Sequence, residues 1–360
     1  TSSDGGLTWT ATLTPTAGIT DSSNLITLSH TGYVDAAGNA GSGPAASNSY
    51  AIDTVRPTAT IVVADTALAV GESSTVTISF SEAVSGLEIA DFSVEHGALS
   101  DLTSSNGGLT WTATLTPTAG ITDARNLIRL NHTGYVDAAG NTGSGPAASN
   151  SYAIDTVRPT ATIVVADTAL AAGASSTVTI SFSEAVSGLE LNDFSVENGA
   201  LSDLKSSDGG LTWIATLTPT AGITDASNRI TLSHTGYVDA AGNTGSGPTA
   251  SNSYAIDTVR PTATIVVADT ALAAGESSTV TITFSEAVSG LDIADFSVEH
   301  GALSDLTSSD GGLTWTATLT PTAGITDSRN LITLNHTGYV DAAGNTGTGA
   351  TVSDAYAIDT

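Results

Sequence analysis

One spacing constrains this chain more than any other. Trp9, Trp111, Trp213 and Trp315 follow one another at intervals of 102 residues. The segment SYAIDT ends at Thr54, Thr156 and Thr258, and its variant AYAIDT ends at Thr360. The chain therefore reads as a half repeat, 1–54, followed by three whole ones, 55–156, 157–258 and 259–360. Repeats 55–156 and 157–258 differ at only thirteen of 102 positions, which points to recent duplication. A residue shared by all copies is then weak evidence of selection on it. The period is too long for one coil of a solenoid and matches an ordinary small domain. The chain begins in mid-repeat and contains no methionine, so it is expected to be cut from something longer, with signal peptide and anchor elsewhere.

A net charge of −28 would suggest disorder if hydrophobicity were low, but 40% of the residues are hydrophobic. Each unit can bury a core. Acidity of this degree argues against nucleic acid or anionic membrane as partner, since both need basic patches. It suits a self-repelling soluble surface, or one that recruits cations. No apolar run approaches the roughly 18–20 residues that span a bilayer. The absence of cysteine removes disulfides, thiolate zinc sites and cysteine nucleophiles.

Within repeat 55–156 no helical period survives, and strand signals dominate. STVTISFSE (74–82) alternates Val76, Ile78 and Phe80 with Thr75, Thr77 and Ser79, as a half-buried strand does. ALSDLTSSNGGLTWTATLTP (98–117) reads as a hairpin turning at Asn106-Gly107. In its second arm Leu109, Trp111, Ala113 and Leu115 share the inward phase. NLIRLNHTGYVDAAGN (126–141) reads as one long strand with a bulge at Gly134, and Tyr152 and Ile154 close the unit. About seven short antiparallel strands in 102 residues predict an all-β chain of tandem immunoglobulin-like sandwiches; a small barrel is the competing architecture. The link between units is TVRPT, short and stiffened by its proline.

LxxGExSTVTxxFSEAVSG, ADFSVExGALS, GGLTWTATLTP and VDAAGNTG…YAIDT together resemble the bacterial immunoglobulin-like repeats of giant surface adhesins, including biofilm-associated and type I-secreted ones. The resemblance spans residues 55–360, and the half repeat 1–54 matches too. It implies a secreted or cell-surface rod that holds a distal binding module away from a bacterium, often with calcium at the joints.

The residues themselves suggest where calcium would sit. Strands of a sandwich run alternately, so the loops after the second and sixth strands share a pole with the N-terminus. The first loop carries Glu82 and the other Asp137 and Asn141, while the preceding unit delivers Asp53 to the same pole. Asp21, in the turn before the preceding unit's long strand, is expected to face the same joint. Calcium takes six to eight oxygens, and carboxylates with an amide from two units could begin such a shell. The equivalent sets are Asp123, Asp155, Glu184, Asp239 and Asn243, and Asp225, Asp257, Glu286, Asp341 and Asn345. The plainer alternative is that Asp137 and Asn141 only cap turns by Asx hydrogen bonds and Glu82 only ends a strand. Neither an EF-hand loop nor a glycine-rich nonapeptide is present.

Other groups point to structure. His30, His132, His234 and His336 sit in HTGY without metal-spaced partners, and His96 and His300 become Asn198 in the third segment. No nucleophile elbow marks an enzyme. The NHT sequons at Asn131 and Asn335 are lost where Ser29 and Ser233 stand, and the Thr-x-Thr rows read as the wet side of strands. The expectation is a non-enzymatic structural spacer whose partners within the chain are its neighbouring repeats. A cell-surface or carbohydrate ligand would be met by regions outside this stretch. The rival function is a carbohydrate- or cell-binding module acting through exposed loops or threonine faces.

Overall fold

The computed structural model describes all residues, Thr1–Thr360. The chain divides into two compact units, Thr1–Arg158 with Ala241–Asn243, and Pro159–Ala240 with Thr244–Thr360. It is all-β apart from three single-turn 3-10 helices, and no helix is long and apolar enough to cross a membrane.

In the first unit, Ser74–Phe80 lies inside a four-stranded antiparallel sheet ordered Gly97–Ser104, Thr110–Pro117, Ser74–Phe80, Ala59–Val63. The alternation read from the sequence holds: Val76, Ile78 and Phe80 are buried while Thr75 is exposed. The facing layer is built of shorter pieces. Thr122–Asn126 pairs with Tyr152–Asp155, which pairs in parallel with Ala67–Leu68. Ile128–Leu130 lies between Phe92–Val94 and Ala147–Ala148. Between the layers Ile61, Ile78, Leu115, Ile128, Tyr152 and Ile154 form one core, each such side chain contributing roughly 1.5–3 kcal/mol by leaving water. Phe80 and Tyr135 meet edge to face with ring centroids 4.9 Å apart. In the second unit the same sandwich occurs twice, around Ile180, Leu217 and Tyr254 and around Ile282, Leu319 and Tyr356.

Three local expectations are corrected. The long strand over 126–141 is broken at Leu127 and again over 131–135, because the chain changes partners each time, the last piece, Val136–Asp137, pairing with Val84–Ser85. Asn126 pairs with Tyr152, whereas Ile128 pairs with Val94, and the irregularity lies between Asp123 and Asn126. The buried Asn126 side chain donates to the carbonyls of Asp123 and Tyr152, filling the gap the switch leaves in the ladder. Gly134 is not a bulge: a Cβ there would stand 1.6 Å from Asp91 Oδ1, so glycine permits a close approach. The hairpin does not turn on two residues. Its strands stop at Ser104 and resume at Thr110, and the positive φ angles belong to Gly107 (75°) and Gly108 (99°), not to Asn106. This wider loop leaves Leu109 exposed and Trp111 half-buried, with its indole N–H donating to Gly108 O at 3.1 Å.

The half repeat 1–54 keeps only Thr20–Asn24 against Tyr50–Asp53 and Thr27–Leu28 against Ala45–Ala46. Leu13, the counterpart of the fully buried Leu115, is 51% exposed, and Trp9 is 71% exposed. A few short strands with no facing layer are marginal in water. Residues 1–54 made alone are therefore expected to give a poorly dispersed amide spectrum and no cooperative melt; a sharp thermal transition would refute this.

Candidate metal centre

Three carboxylates converge in the first unit. Asp53 ends the strand Tyr50–Asp53, Glu82 follows Ser74–Phe80 by two residues, and Asp137 ends Val136–Asp137. One oxygen from each lies within 4.8 Å of the others. In the second unit Asp257, Glu286 and Asp341 converge in the same way. Alternating strand direction brings them together, since each stands where a strand enters or leaves one pole of a sandwich.

Asp137 is buried and hydrogen-bonded through both oxygens. Its Oδ1 accepts from the backbone N–H groups of Ala139 at 2.9 Å and Asn141 at 2.8 Å, and its Oδ2 accepts from Asn141 Nδ2 at 2.8 Å. Burial works to raise this carboxyl, but the bonds from Asn141, Ala139 and Gly140 outweigh it and hold Asp137 below the usual range. Asp341 has the same three bonds, from Ala343 N–H and from the backbone and side chain of Asn345.

Glu82 is the opposite case. Its Oε1 is buried and has no hydrogen-bond partner, and so is Glu286 Oε1. Burial, then the charges of Asp137 and Asp53, raise the Glu82 carboxyl; burial, Asp341 and Asp257 raise that of Glu286. A buried oxygen left unpaired costs about 1–3 kcal/mol, and more when charged. Only a proton or a cation relieves both the orphaned oxygen and the repulsion.

This pair of glutamates reverses the usual acid behaviour of a carboxylate. A folded-state pKa raised above its ordinary 4.5 means the folded chain binds the proton more tightly than the unfolded one. Metal-free stability should therefore rise as pH falls from above the folded pKa towards 4.5, and Glu82→Gln with Glu286→Gln should remove that rise. Asp137, with its lowered pKa, contributes in the other direction and only at lower pH. Thermal melts of chelator-treated protein across mildly acidic pH check this; a double variant that keeps the full rise would contradict it.

The remaining sequence-predicted residues fall elsewhere. Asn141 Nδ2 donates to Asp53 O at 3.2 Å and Val55 O at 3.3 Å, besides Asp137. Asn345 Nδ2 donates to Asp257 O and Val259 O, and its Oδ1 accepts Ala172 N–H at 2.6 Å. These asparagines brace the carboxylates by turning an Nδ2 donor towards them, where the sequence suggested an oxygen. Asn243 Oδ1 is likewise occupied, by Val70 N–H.

Asp21, Asp123 and Asp225 also stand outside the clusters. Asp123 Oδ1 accepts Arg125 N–H and its Oδ2 lies 3.3 Å from His96 Nδ1. Asp225 takes Ser227 N–H and Asn198 Nδ2, and Asp21 takes Ser23 N–H. One residue of register explains this. Thr122 pairs with Asp155, so the neighbouring Asp123 projects from the other face of the strand. The group that meets the aspartate is the threonine: Thr20, Thr122 and Thr224 hydroxyls donate to Asp53, Asp155 and Asp257 at 2.9, 2.8 and 2.8 Å. Glu184 and the buried Asp239 occupy the positions of Glu82 and Asp137 in the second unit's first sandwich.

A further support was missed in the sequence. Arg56 Nε donates to Thr142 O at 2.8 Å, and Arg260 Nη1 donates to Thr346 O and Oγ1, both at 2.9 Å. The signal was there, because this linker arginine recurs in every whole repeat of a chain with only 8 basic residues. The histidines play other parts: His336 is buried between Tyr339 Oη at 2.6 Å and Thr351 Oγ1 at 3.2 Å, a packing role.

A family model described as a bacterial Ig-like domain matches residues 1–52, 53–154, 155–256 and 257–358. The chain belongs to that family. In the register of the bacterial Ig-like domain, Asp53, Glu82 and Asp137 fall in one match, as do Asp257, Glu286 and Asp341. No curated protein matches the sequence. Among solved structures the chain is similar to FdeC, an Escherichia coli adhesin, at 15% identity, covering 84% of this chain and 97% of that one with a TM-score of 0.32. It is similar to the I9–I11 tandem of titin at 10% identity, covering 83% and 98%, TM-score 0.30. The Yersinia pseudotuberculosis adhesin InvE follows at 16% identity over 53% and 58%, TM-score 0.22. At these identities and scores the likenesses carry no functional information.

Proposed function

We propose that these tandem bacterial Ig-like repeats form a non-catalytic spacer in a secreted or cell-surface adhesin, stiffened by calcium held between successive repeats. The observation that carries the calcium reading is the buried, unpartnered Oε1 of Glu82 and of Glu286, each beside two aspartates. A hard dication bound by oxygen suits an all-carboxylate donor set with no histidine or thiolate. Asp53, Glu82 and Asp137 would hold one ion, and Asp257, Glu286 and Asp341 another, with water or carbonyls completing each shell. When bound, the ion supplies charge neutralisation. The protein's own contribution is to hold the carboxylates in place through Asn141, Asn345 and the threonine hydroxyls.

The spacer reading rests on the family and on copy number: near-identical sandwiches in series add length without adding a new surface. Calcium calorimetry on the whole chain, followed by small-angle scattering with and without the ion, tests both parts together. Calcium heats with no change in maximum dimension would leave a metal site but remove the stiffening; no heats at all would remove the metal site.

A further inference from the structure

The chain contains two Asn-Gly pairs, Asn106-Gly107 and Asn198-Gly199, and the fold holds them differently. A carboxamide followed by glycine is open to attack by the next backbone nitrogen, because no Cβ shields that nitrogen. Asn106 and Gly107 are exposed in the loop between Gly97–Ser104 and Thr110–Pro117. Nothing lies within 4 Å of where a Cβ on Gly107 would stand, and the Gly107 N–H donates to no group. Asn106 Oδ1 accepts Thr110 N–H at 2.9 Å, and the Ser104 hydroxyl lies 3.2 Å from the same oxygen. The Ser104 hydroxyl donates its one proton to Thr110 O at 2.8 Å, so the Thr110 N–H is the donor that draws electron density from Cγ and stabilises charge developing on Oδ1 during attack. The departing nitrogen, Nδ2, makes no hydrogen bond.

Asn198 is the built-in contrast. Its Nδ2 is held by Asp225 Oδ2 at 3.1 Å and Asn228 Oδ1 at 2.7 Å. Gly199 opens the strand Gly199–Ser206, where a Cβ would stand 3.0 Å from both the Leu217 side chain and Thr218 O. Attacking residue and leaving group are both pinned.

The other copies show what the Asn106 loop accommodates. Asp4, Asp208 and Asp310 stand at its position. Asp208 and Asp310 accept the N–H of Thr212 and Thr314 at 2.9 Å, as Asn106 accepts that of Thr110. Those backbone bonds hold the Asp208 and Asp310 carboxyls below the usual range. The loop's N–H donor suits a carboxylate, and in repeat 55–156 it meets an amide.

We infer that Asn106 is a deamidation site, converting in the folded chain to the charged form that the other repeats encode. The Gly107 nitrogen bonds to Asn106 Cγ as the Cγ–Nδ2 bond breaks, and the Gly107 amide proton leaves with the departing nitrogen as ammonia. Water then reopens the five-membered imide. Cleavage at Cγ gives aspartate, and cleavage at the main-chain carbonyl gives isoaspartate. The net change is amide plus water to carboxylate plus ammonium, with one negative charge gained and the Thr110 bond made charge-assisted.

The test ages the whole 360-residue chain in mildly alkaline buffer without denaturant and maps peptides by mass. Gain of one mass unit at Asn106 should outpace that at Asn198 by at least about tenfold, well within the roughly 10²–10³-fold that one positioned donor contributes in an enzyme site. Asn106→Gln should abolish the gain at that peptide, and Asn106→Asp should melt no lower than the parent chain. No conversion at Asn106 in the native chain, conversion only in denaturant, or equal conversion at Asn198 would overturn the assignment.

Discussion

Leu115→Ala is expected to destabilise repeat 55–156 by about 3–5 kcal/mol, the upper part of the range for a buried leucine whose cavity cannot collapse. Leu115 has no exposed surface, and it lies between Ser74 on one neighbouring strand and Leu99 on the other. The ladder to Ser74–Phe80 is continuous and the one to Gly97–Ser104 is regular from Gly97 to Ser100, beside Leu115, so the walls of the void have little room to relax. Trp111→Ala removes more atoms but should cost less, because the indole is only half-buried and caps the edge of the core. A domain of this size has about 5–15 kcal/mol in total, so the leucine change alone consumes a large share. Denaturant titrations of both variants decide the order. If Trp111→Ala proves the costlier, the core is centred closer to the hairpin loop than its packing indicates.

That ranking also marks how far the sequence could be read. Strict alternation in 74–80 and 110–117 places Val76, Ile78, Ala113 and Leu115 inside because a strand's side chains repeat every two residues. Period alone cannot report where a strand changes partner, and so the break at Leu127 and the five-residue hairpin loop were not legible. The site divides along the same line. Asp53, Glu82 and Asp137 were legible because strand direction alone assigns them to one pole. Asp123 was misplaced by a single residue of register, and the Asn141 amide was expected to offer its oxygen where it offers its nitrogen. Register and amide orientation are set by tertiary partners distant along the chain: Asp155 lies 33 residues from Thr122, and Asp53 O and Val55 O lie 88 and 86 residues from Asn141.

Saturating calcium should raise the stability of the second unit by about 2.7 kcal/mol per site at a hundredfold excess over the dissociation constant, which for extracellular modules is of order 10⁻⁴–10⁻³ M. The gain follows from linkage: the folded chain presents Asp257, Glu286 and Asp341 together, and the unfolded chain does not. Magnesium should give less, since it demands near-octahedral geometry and gives up its water reluctantly. Asp257→Asn with Glu286→Gln keeps side-chain volume and leaves Asp341 braced by Asn345, so the sandwiches should stay folded. The binding stoichiometry should fall by one, and the calcium-dependent rise in melting temperature should shrink for this unit alone. Neutralising the pair also removes the repulsion that burdens Glu286, so the variant without calcium should melt no lower than the parent without calcium. Calorimetry supplies the stoichiometry and differential scanning the melts. Undiminished binding in the double variant would place the ion elsewhere, and a metal-free variant markedly less stable than its parent would mean these carboxylates serve packing rather than a cation.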